Sequence, residues 1–336
     1  DPTNADTDAD GLSDGDEVNT HSTNPLLADS DGDYFKDKVE LDNGSNPNEA
    51  NSLPIADGLG LLAYWDFNDP SNPAVATDAI LGQTGQVLNG ATYGASGRGG
   101  SGDYAIHFSG GAQTVLLGDA GYFNSAAATD KMTISFWMKN HVLANHSTVN
   151  VFSPSVSHNR GFFVHAPWGN GHVYFDTVGC CNQNQQRINA HAGIVVDQWH
   201  HFVFVKDKGK KSIWVDGQLF HQGNNSAALP MDMSALWVGS TTDGGGSING
   251  AIDDFKVYAQ ALTGGQIADQ YLQGQDSDGK IVNLMRSGRL SQKPDQDVTM
   301  NTFEWRSNWQ DHYGTHFLGY FHYVLWFPYQ QTLSKR

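Results

Sequence analysis

Hydrophobic and polar positions alternate most clearly over residues 196–222, VDQWHHFVFVKDKGKKSIWVDGQLFHQ. Residues 199–206 and 212–215 are aromatic and β-branched runs around a polar turn at 207–211, where Gly209 is expected to take the positive φ of a short hairpin loop. Alternation sends His201, Val203 and Val205 to one face and His200, Phe202 and Phe204 to the other. Both faces are apolar, so this strand is expected inside a sheet and covered on both sides. Asp216-Gly217 predicts a second tight turn into residues 218–221. Residues 132–138 alternate in the same way, Met132, Ile134, Phe136 and Met138 against Thr133, Ser135 and Trp137. Further short runs lie at 62–67, 104–108, 114–117, 149–152, 161–165, 172–175, 236–239 and 250–258, with a Gly- and Ala-rich loop expected from 68 to 102. Roughly a dozen short strands predict an all-β fold of two stacked antiparallel sheets. Residues 263–272 are expected to form a short closing helix.

Four of these stretches also carry a family resemblance. WHHFVF (199–204) with IWVDGQ (213–218), LAYWDF (62–67), MTISFWM (132–138) and GAIDDFKVY (250–258) resemble, in order, the core of laminin-G-like, concanavalin-A-like jelly-roll domains. The resemblance covers residues 60–272 and implies a two-sheet antiparallel jelly-roll sandwich. It is a weak guide to function, because lectins, adhesins and enzymes share the fold.

The chain of 336 residues is long enough for a sizeable core beside other segments. Its net charge of −17 argues against nucleic acid or an anionic membrane surface as partner. The charge is concentrated: residues 1–50 hold 11 Asp and 3 Glu against 2 Lys. No apolar run is long enough to span a membrane. The two cysteines, Cys180 and Cys181, are adjacent and cannot form a long-range staple; a vicinal disulfide and free thiols are both open.

The acidic segment has an internal repeat. Asp6, Asp8, Asp10, Asp14 and Glu17 fall at positions 1, 3, 5, 9 and 12 of a calcium loop, with the Leu12 carbonyl at 7 and Gly11 at the sharp turn. Asp29, Asp31, Asp33, Phe35, Asp37 and Glu40 repeat the pattern, with Tyr34 in place of the glycine. Carboxylates so closely spaced repel one another without a cation, so Ca2+ is the expected cofactor. The pair resembles thrombospondin type 3 repeats of bacterial secreted proteins, which implies a rigid calcium-loaded stalk and a secreted or cell-surface bacterial location. Residues 1–50 are thus expected to be the repeats, 51–60 a linker, 61–274 the jelly roll and 275–336 an unassigned extension.

Within the jelly roll, HAPWGNGH (165–172), YFD (174–176), Asn182 and Arg187 form the candidate ligand segment. Trp168 offers a flat face to sugar C–H bonds, while His165, Asp176, Asn182 and Arg187 can reach hydroxyls. The alternative is internal packing of Trp168 and an internal Asp176–Arg187 pair. The family resemblance also implies a calcium at Asp253, helped by the loop around Asn68; strict alternation places Ile252 with Asp254 and Asp253 with Phe255. Polysaccharide-cleaving relatives of the fold use paired glutamates, yet the four Glu here are Glu17, Glu40, Glu49 and Glu304, none in the jelly roll. The scattered histidines do not form a zinc motif.

After residue 275 the character changes. Residues 276–280 (DSDGK) resemble a fragment of another acidic repeat, and residues 303–329 hold 11 aromatics. An exposed patch of that kind marks an interaction site. The expectation is a secreted, non-catalytic, calcium-binding module that presents a jelly roll to extracellular glycan or polysaccharide, with protein contacts through the aromatic tail. A structural or adhesive surface subunit is the alternative, and a polysaccharide-degrading enzyme the third.

Overall fold

A computed structural model describes residues 5–32, 36–49, 52, 60–80, 82–94, 97–98, 103–240 and 246–275. The expected linker at 51–60 and extension at 275–336 therefore lie almost entirely outside the described residues. The chain divides into residues 1–271 and 272–336, and the elements below belong to the first, except that the closing helix runs on to residue 275.

The acidic segment folds as two related turns. The first carries α1 (Asp14–Asp16) and a π-helical turn (Glu17–His21); the second carries α2 (Asp37–Asn43). In each, the ninth-position aspartate is gripped through both oxygens by a hydroxyl residue seven positions earlier. Thr7 N and Oγ1 donate to Asp14, each at 2.8 Å; Ser30 N and Oγ donate to Asp37 at 2.8 and 2.7 Å. The copies also touch, because Lys38 N at the start of α2 donates to Asp10 Oδ2 at 3.1 Å and Lys36 Nζ to the Ala9 carbonyl at 3.1 Å. From Glu17 to its hydroxyl partner Thr23 is one residue further than from Glu40 to Ser45. The wider π turn absorbs that extra residue.

Two eight-stranded antiparallel sheets follow among the described residues. The first contains β1 (Leu61–Trp65), β4 (Thr92–Gly94), β5 (Ala105–Ser109), β7 (Lys131–Val142), β12 (Trp199–Asp207), β13 (Lys210–Val215), β14 (Gln218–Asn224) and β16 (Asn249–Tyr258). Its order is β14-β13-β12-β7-β16-β5-β4, with β1 also on β16. The second contains β2 (Val75–Thr77), β3 (Thr84–Leu88), β6 (Thr114–Leu117), β8 (Val149–Phe152), β9 (Arg160–His165), β10 (His172–Thr177), β11 (Arg187–His191) and β15 (Ala235–Val238), ordered β11-β10-β9-β8-β15-β6-β3-β2. Both sheets contribute to one core. Met132, Ile134, Phe136, Met138, Phe202 and Phe204 from the first share it with Val149, Val151, Phe162, Val164, Val173 and Phe175 from the second.

The other side of β12 is covered as well. Val203 and Val205 pack with Leu61, Tyr258, Leu262 and Ile267, the last on α4 (Gly264–Gln275), the helix that follows the short α3 (Asn124–Thr129) in chain order. Thr263 caps that helix: its N–H and hydroxyl donate to Gln266 Oε1 at 2.8 and 2.9 Å, and its oxygen accepts the Gln266 N–H at 3.4 Å.

Three details depart from the sequence expectation. The β12–β13 turn is tighter, and its positive φ falls on Lys208 (53°), not on Gly209. Asp216 and Gly217 do form the second turn with φ of 51° and 76°. The Gly- and Ala-rich region contains β2, β3 and β4. Finally, a register shift between Asp253 and Lys256, with Asp254 at φ 49°, breaks the alternation of β16, so that Ile252 and Phe255 both enter the core.

Candidate functional site

In the first acidic loop, oxygens of Asp6, Asp8 and Asp10 lie within 4.8 Å of one another. Local hydrogen bonds hold the loop open in this shape: Asp6 accepts from Ala9 N (2.8 Å) and Gly11 N (3.2 Å), and Asp10 from Leu12 N (2.7 Å). Gly11 turns the chain at φ 107°, as its loop position requires. Glu17 closes the loop from beneath. Its side chain is fully buried; Oε1 accepts from the Thr23 hydroxyl at 3.2 Å, while Oε2 has no hydrogen-bond partner. Burial first, and the Asp8 carboxylate second, push the Glu17 pKa up; burial likewise raises Asp8, whose Oδ2 has no partner. Asp14, by contrast, is held below its usual range by the Thr7 hydroxyl and N–H. A buried carboxylate with an orphaned oxygen beside three converging carboxylates is a donor set for a hard cation, and these residues fit calcium.

The second loop places Asp29, Asp31, Asp37 and Glu40 in the described residues. Gly32 N donates to Asp29 Oδ1 at 2.8 Å, as Ala9 N does to Asp6, and Asp37 and Glu40 are fully buried. Burial first raises the Asp37 pKa, and Asp10 and Asp29 add to it. Asp33 and Phe35 lie outside the described residues.

Asp253 is 1% exposed and accepts from Arg98 N at 2.9 Å and Asp254 N at 2.8 Å. Asp254 accepts from the Tyr64 hydroxyl at 2.6 Å and from Arg98 Nη2 at 2.5 Å. Burial, then the adjacent Asp254 charge, push Asp253 up to about 8. Asn68 is engaged elsewhere, its Oδ1 accepting the Tyr104 N–H at 2.7 Å. Asp253 belongs to neither of the ligand clusters found among the described residues.

The five candidate glycan residues separate into two groups. His165, at the end of β9, is buried, its Nδ1 2.6 Å from the His146 carbonyl; burial lowers its pKa to about 3. The half-buried Trp168 ring stands edge-on to it at 4.4 Å, on a loop that follows the cis peptide bond Ala166–Pro167. Asp176 and Arg187 pair near the other end of β10, four residues or about 14 Å along from His172, which neighbours Trp168; Asn182 lies in the turn beyond, and His165 faces Tyr174, two residues from Asp176. Asp176 is fully buried: Arg187 Nε and Nη2 donate to its two oxygens at 2.5 Å each, and Arg160 Nη1 donates at 2.7 Å. Its carboxylate is an internal anchor, which rules it out as a fork for sugar hydroxyls. Asn182 is exposed, but its carbonyl accepts the N–H groups of Gln185, Gln186 and Arg187, so it builds the turn.

That turn contains a vicinal disulfide, Cys180–Cys181, across a cis peptide bond, and Arg187 Nη2 lies 3.5 Å from Cys180 Sγ. With both sulfurs bonded and the carboxylate held by two guanidinium groups, the Asp176–Cys180–Cys181 cluster does not fit a metal. Reasoning from sequence missed Arg160, Asn150 and Trp237 on the same sheet face. Only strand register brings these together.

Comparison with known proteins agrees with this architecture. The family model described as concanavalin A-like lectin/glucanases superfamily (laminin G type) matches residues 108–268, and the bacterial TSP3 repeat model matches 6–28 and 29–50. No curated protein matches. Among solved structures, a Trypanosoma rangeli sialidase aligns with TM-score 0.51 at 15% identity over 67% of this chain and 34% of that one. The same sialidase in complex with 2,3-difluorosialic acid aligns at 0.50 and 16% identity over 67% and 34%. Domain 4 of AbnA, a Geobacillus stearothermophilus arabinanase, in complex with arabinotriose aligns at 0.47 and 18% identity over 62% and 97%. The chain spans about a third of the sialidase's length, and at these identities the likeness concerns fold alone. Residues 6–50 thus match the bacterial TSP3 repeat model twice, and residues 108–268 match the laminin-G-type model of the concanavalin A-like lectin/glucanases superfamily.

Proposed function

We propose that this chain is an extracellular, calcium-stiffened module whose sandwich binds glycan and does no chemistry on it. What supports this is the asymmetry of the two outer sheet faces. On the first sheet, Val203 and Val205 are sealed beneath Leu262 and Ile267. On the second, Trp168, His172, Tyr174 and Asn189 remain half-exposed on consecutive strands and the loop between them. Asn170 Nδ2 donates to the Tyr174 hydroxyl at 2.9 Å, and His172 stacks on the same ring. Half-exposed aromatic rings with fixed polar groups, carried on rigid strands, suit the alternating C–H and hydroxyl faces of sugars.

Calcium is assigned to the first loop through Asp6, Asp8, Asp10, the Leu12 carbonyl, Asp14 and Glu17. The corresponding groups of the second repeat form the second site, and Asp253 is a further candidate. Bound there, the ion offsets carboxylate repulsion and ties each loop to its helix. The absence of glutamate from the sandwich sequence favours binding over hydrolysis. No helix among the described residues is long and apolar enough to cross a membrane, and the bacterial TSP3 repeats favour an extracellular place.

The test is affinity electrophoresis of the full chain with calcium against a panel of soluble polysaccharides. Retardation by at least one polymer, weakened in Trp168→Ala, is expected. No retardation by any of them, or release of reducing ends during incubation, contradicts the proposal.

A further inference from the structure

The histidines are scattered along the sequence, but the register of β10 and β11 brings two of them face to face. His172 opens β10, His191 closes β11, and the two are directly opposite partners. The Ala192 N–H donates to the Gly171 carbonyl at 2.9 Å, so residues 171 and 192 are a hydrogen-bonded pair of the ladder. His172 and His191 therefore form the non-hydrogen-bonded pair beside it, the kind whose side chains stand closest. Both side chains point outward, because the adjacent Val173 and Ala192 belong to the core.

The two rings are spaced for a shared ligand. Their centroids are 5.3 Å apart and their planes are close to perpendicular, at 88°. Two imidazoles on one tetrahedral ion, with metal–nitrogen bonds of about 2.0–2.1 Å, have ring centres about 5 Å apart. His172 Nδ1 is enclosed and has no hydrogen-bond partner. His191 is exposed, and a Cβ on Gly171 would stand 2.7 Å from its Nε2. Glycine at 171, with φ 80°, thus leaves a notch in which that nitrogen lies against the start of β10, beside His172. An enclosed ring nitrogen without a partner has lost its solvation and gained nothing in return, and an ion in the notch repairs that. The adjoining polar groups are neutral: Asn170 accepts the His172 N–H at 3.0 Å and gives its amide to the Tyr174 hydroxyl at 2.9 Å. No Asp, Glu or Cys completes a three-ligand group with the pair among the described residues. Two imidazoles without a carboxylate suit a late first-row divalent ion and not calcium.

We infer that His172 and His191 together hold one divalent transition-metal ion of the copper, nickel and zinc class on the outer face of the second sheet. His172 Nδ1 and His191 Nε2 are the ligand atoms. The remaining coordination positions open to solvent beside Tyr174, whose ring stacks on His172 at 5.8 Å. Affinity follows the usual order for imidazole sites, copper(II) above nickel and zinc. β11 is the edge strand of its sheet, so the ion also ties that edge to β10. The inference is independent of the glycan-binding proposal and of the acidic loops, since calcium takes oxygen ligands and leaves the pair free.

The test titrates the full chain, saturated with calcium, separately with Cu2+, Ni2+ and Zn2+ by calorimetry. His172→Phe and His191→Phe keep the ring-on-ring packing and remove the ring nitrogens. One equivalent bound by the wild-type chain is expected to weaken tenfold or more in either variant. The double variant is expected to lose no second equivalent, because the two residues serve one ion. Ions held by other histidines contribute equivalents that persist in both variants. A second measurement needs no variant: substoichiometric Cu2+ is expected to broaden the imidazole proton resonances of His172 and His191 before those of other histidines. Wild-type stoichiometry and affinity in both folded variants, loss of different equivalents by the two, or broadening that spares either residue overturns the inference. Failure of the wild-type chain to bind any of the three ions overturns it as well.

Discussion

Replacing Asp176 with asparagine separates an internal anchor from a ligand group. In the folded protein Asp176 is wholly buried and receives three N–H donors from two guanidinium groups. Asparagine keeps the shape but removes the charge, and turns one of two acceptors into a donor facing other donors. Removing one partner of a buried ion pair costs about 3–5 kcal/mol, because the remaining charge stays desolvated. Arg160 and Arg187 are only partly buried, at 19% and 15% side-chain exposure, so both retain some solvent and the lower half of that range applies. For a domain of this size each kcal/mol shifts Tm by about 2–4 °C, giving an expected fall of about 6–16 °C. Thermal melts with calcium present, read at 222 nm and by intrinsic fluorescence, check it. The double variant Asp176→Asn with Arg187→Gln should lose less than the two single losses combined, since the groups act on each other. A Tm within 2 °C of wild type for Asp176→Asn would refute the reasoning and return Asp176 to the list of possible ligand groups.

Other expectations follow from the same contacts. Removing calcium with EDTA should open residues 5–49 to protease while the sandwich persists, because only the loops lose an ion; an unchanged digestion pattern counts against the sites. Asp253, raised to about 8 in the fold against an ordinary value near 3.8, keeps its proton when folded after the unfolded chain has lost it. In EDTA, stability should therefore fall as pH rises from about 4 to about 8, by at most about 6 kcal/mol, and Asp253→Asn should flatten that slope in urea titrations. Thr263→Ala removes the cap of α4 and should cost about 1 kcal/mol, read by denaturant midpoint. Gly250→Ala should be far more damaging, since a Cβ there would clash with the Lys139 carbonyl oxygen, and backbone cannot move aside as a flexible side chain can.

What the amino-acid sequence makes legible is whatever rests on local period or spacing. The Met132–Met138 alternation and the covered hairpin strand are direct consequences of the two-residue pleat, and Asp216-Gly217 has the turn chemistry its φ values need. The acidic loops are legible because ligand spacing is itself the motif. Asp253 shows the limit: one bulge reverses the phase of β16, and no residue type announces it. β2, β3 and β4 escape because short strands at or next to a sheet edge, in Gly- and Ala-rich sequence, carry little apolar pattern. Asp176 and Arg187 were readable as a pair, but Arg160, Asn150 and Trp237 come from strands up to 87 residues away from Asn150, and only register gathers them.

The most direct measurement is a crystal structure of the full chain grown with calcium and a bound polysaccharide fragment. The account predicts an ion held by Asp6, Asp8, Asp10, Asp14 and Glu17, and an intact sugar on the second sheet's outer face against Trp168, His172 and Tyr174. A sugar bound on the first sheet, a cleaved fragment, or acidic loops that stay empty at millimolar calcium would contradict it.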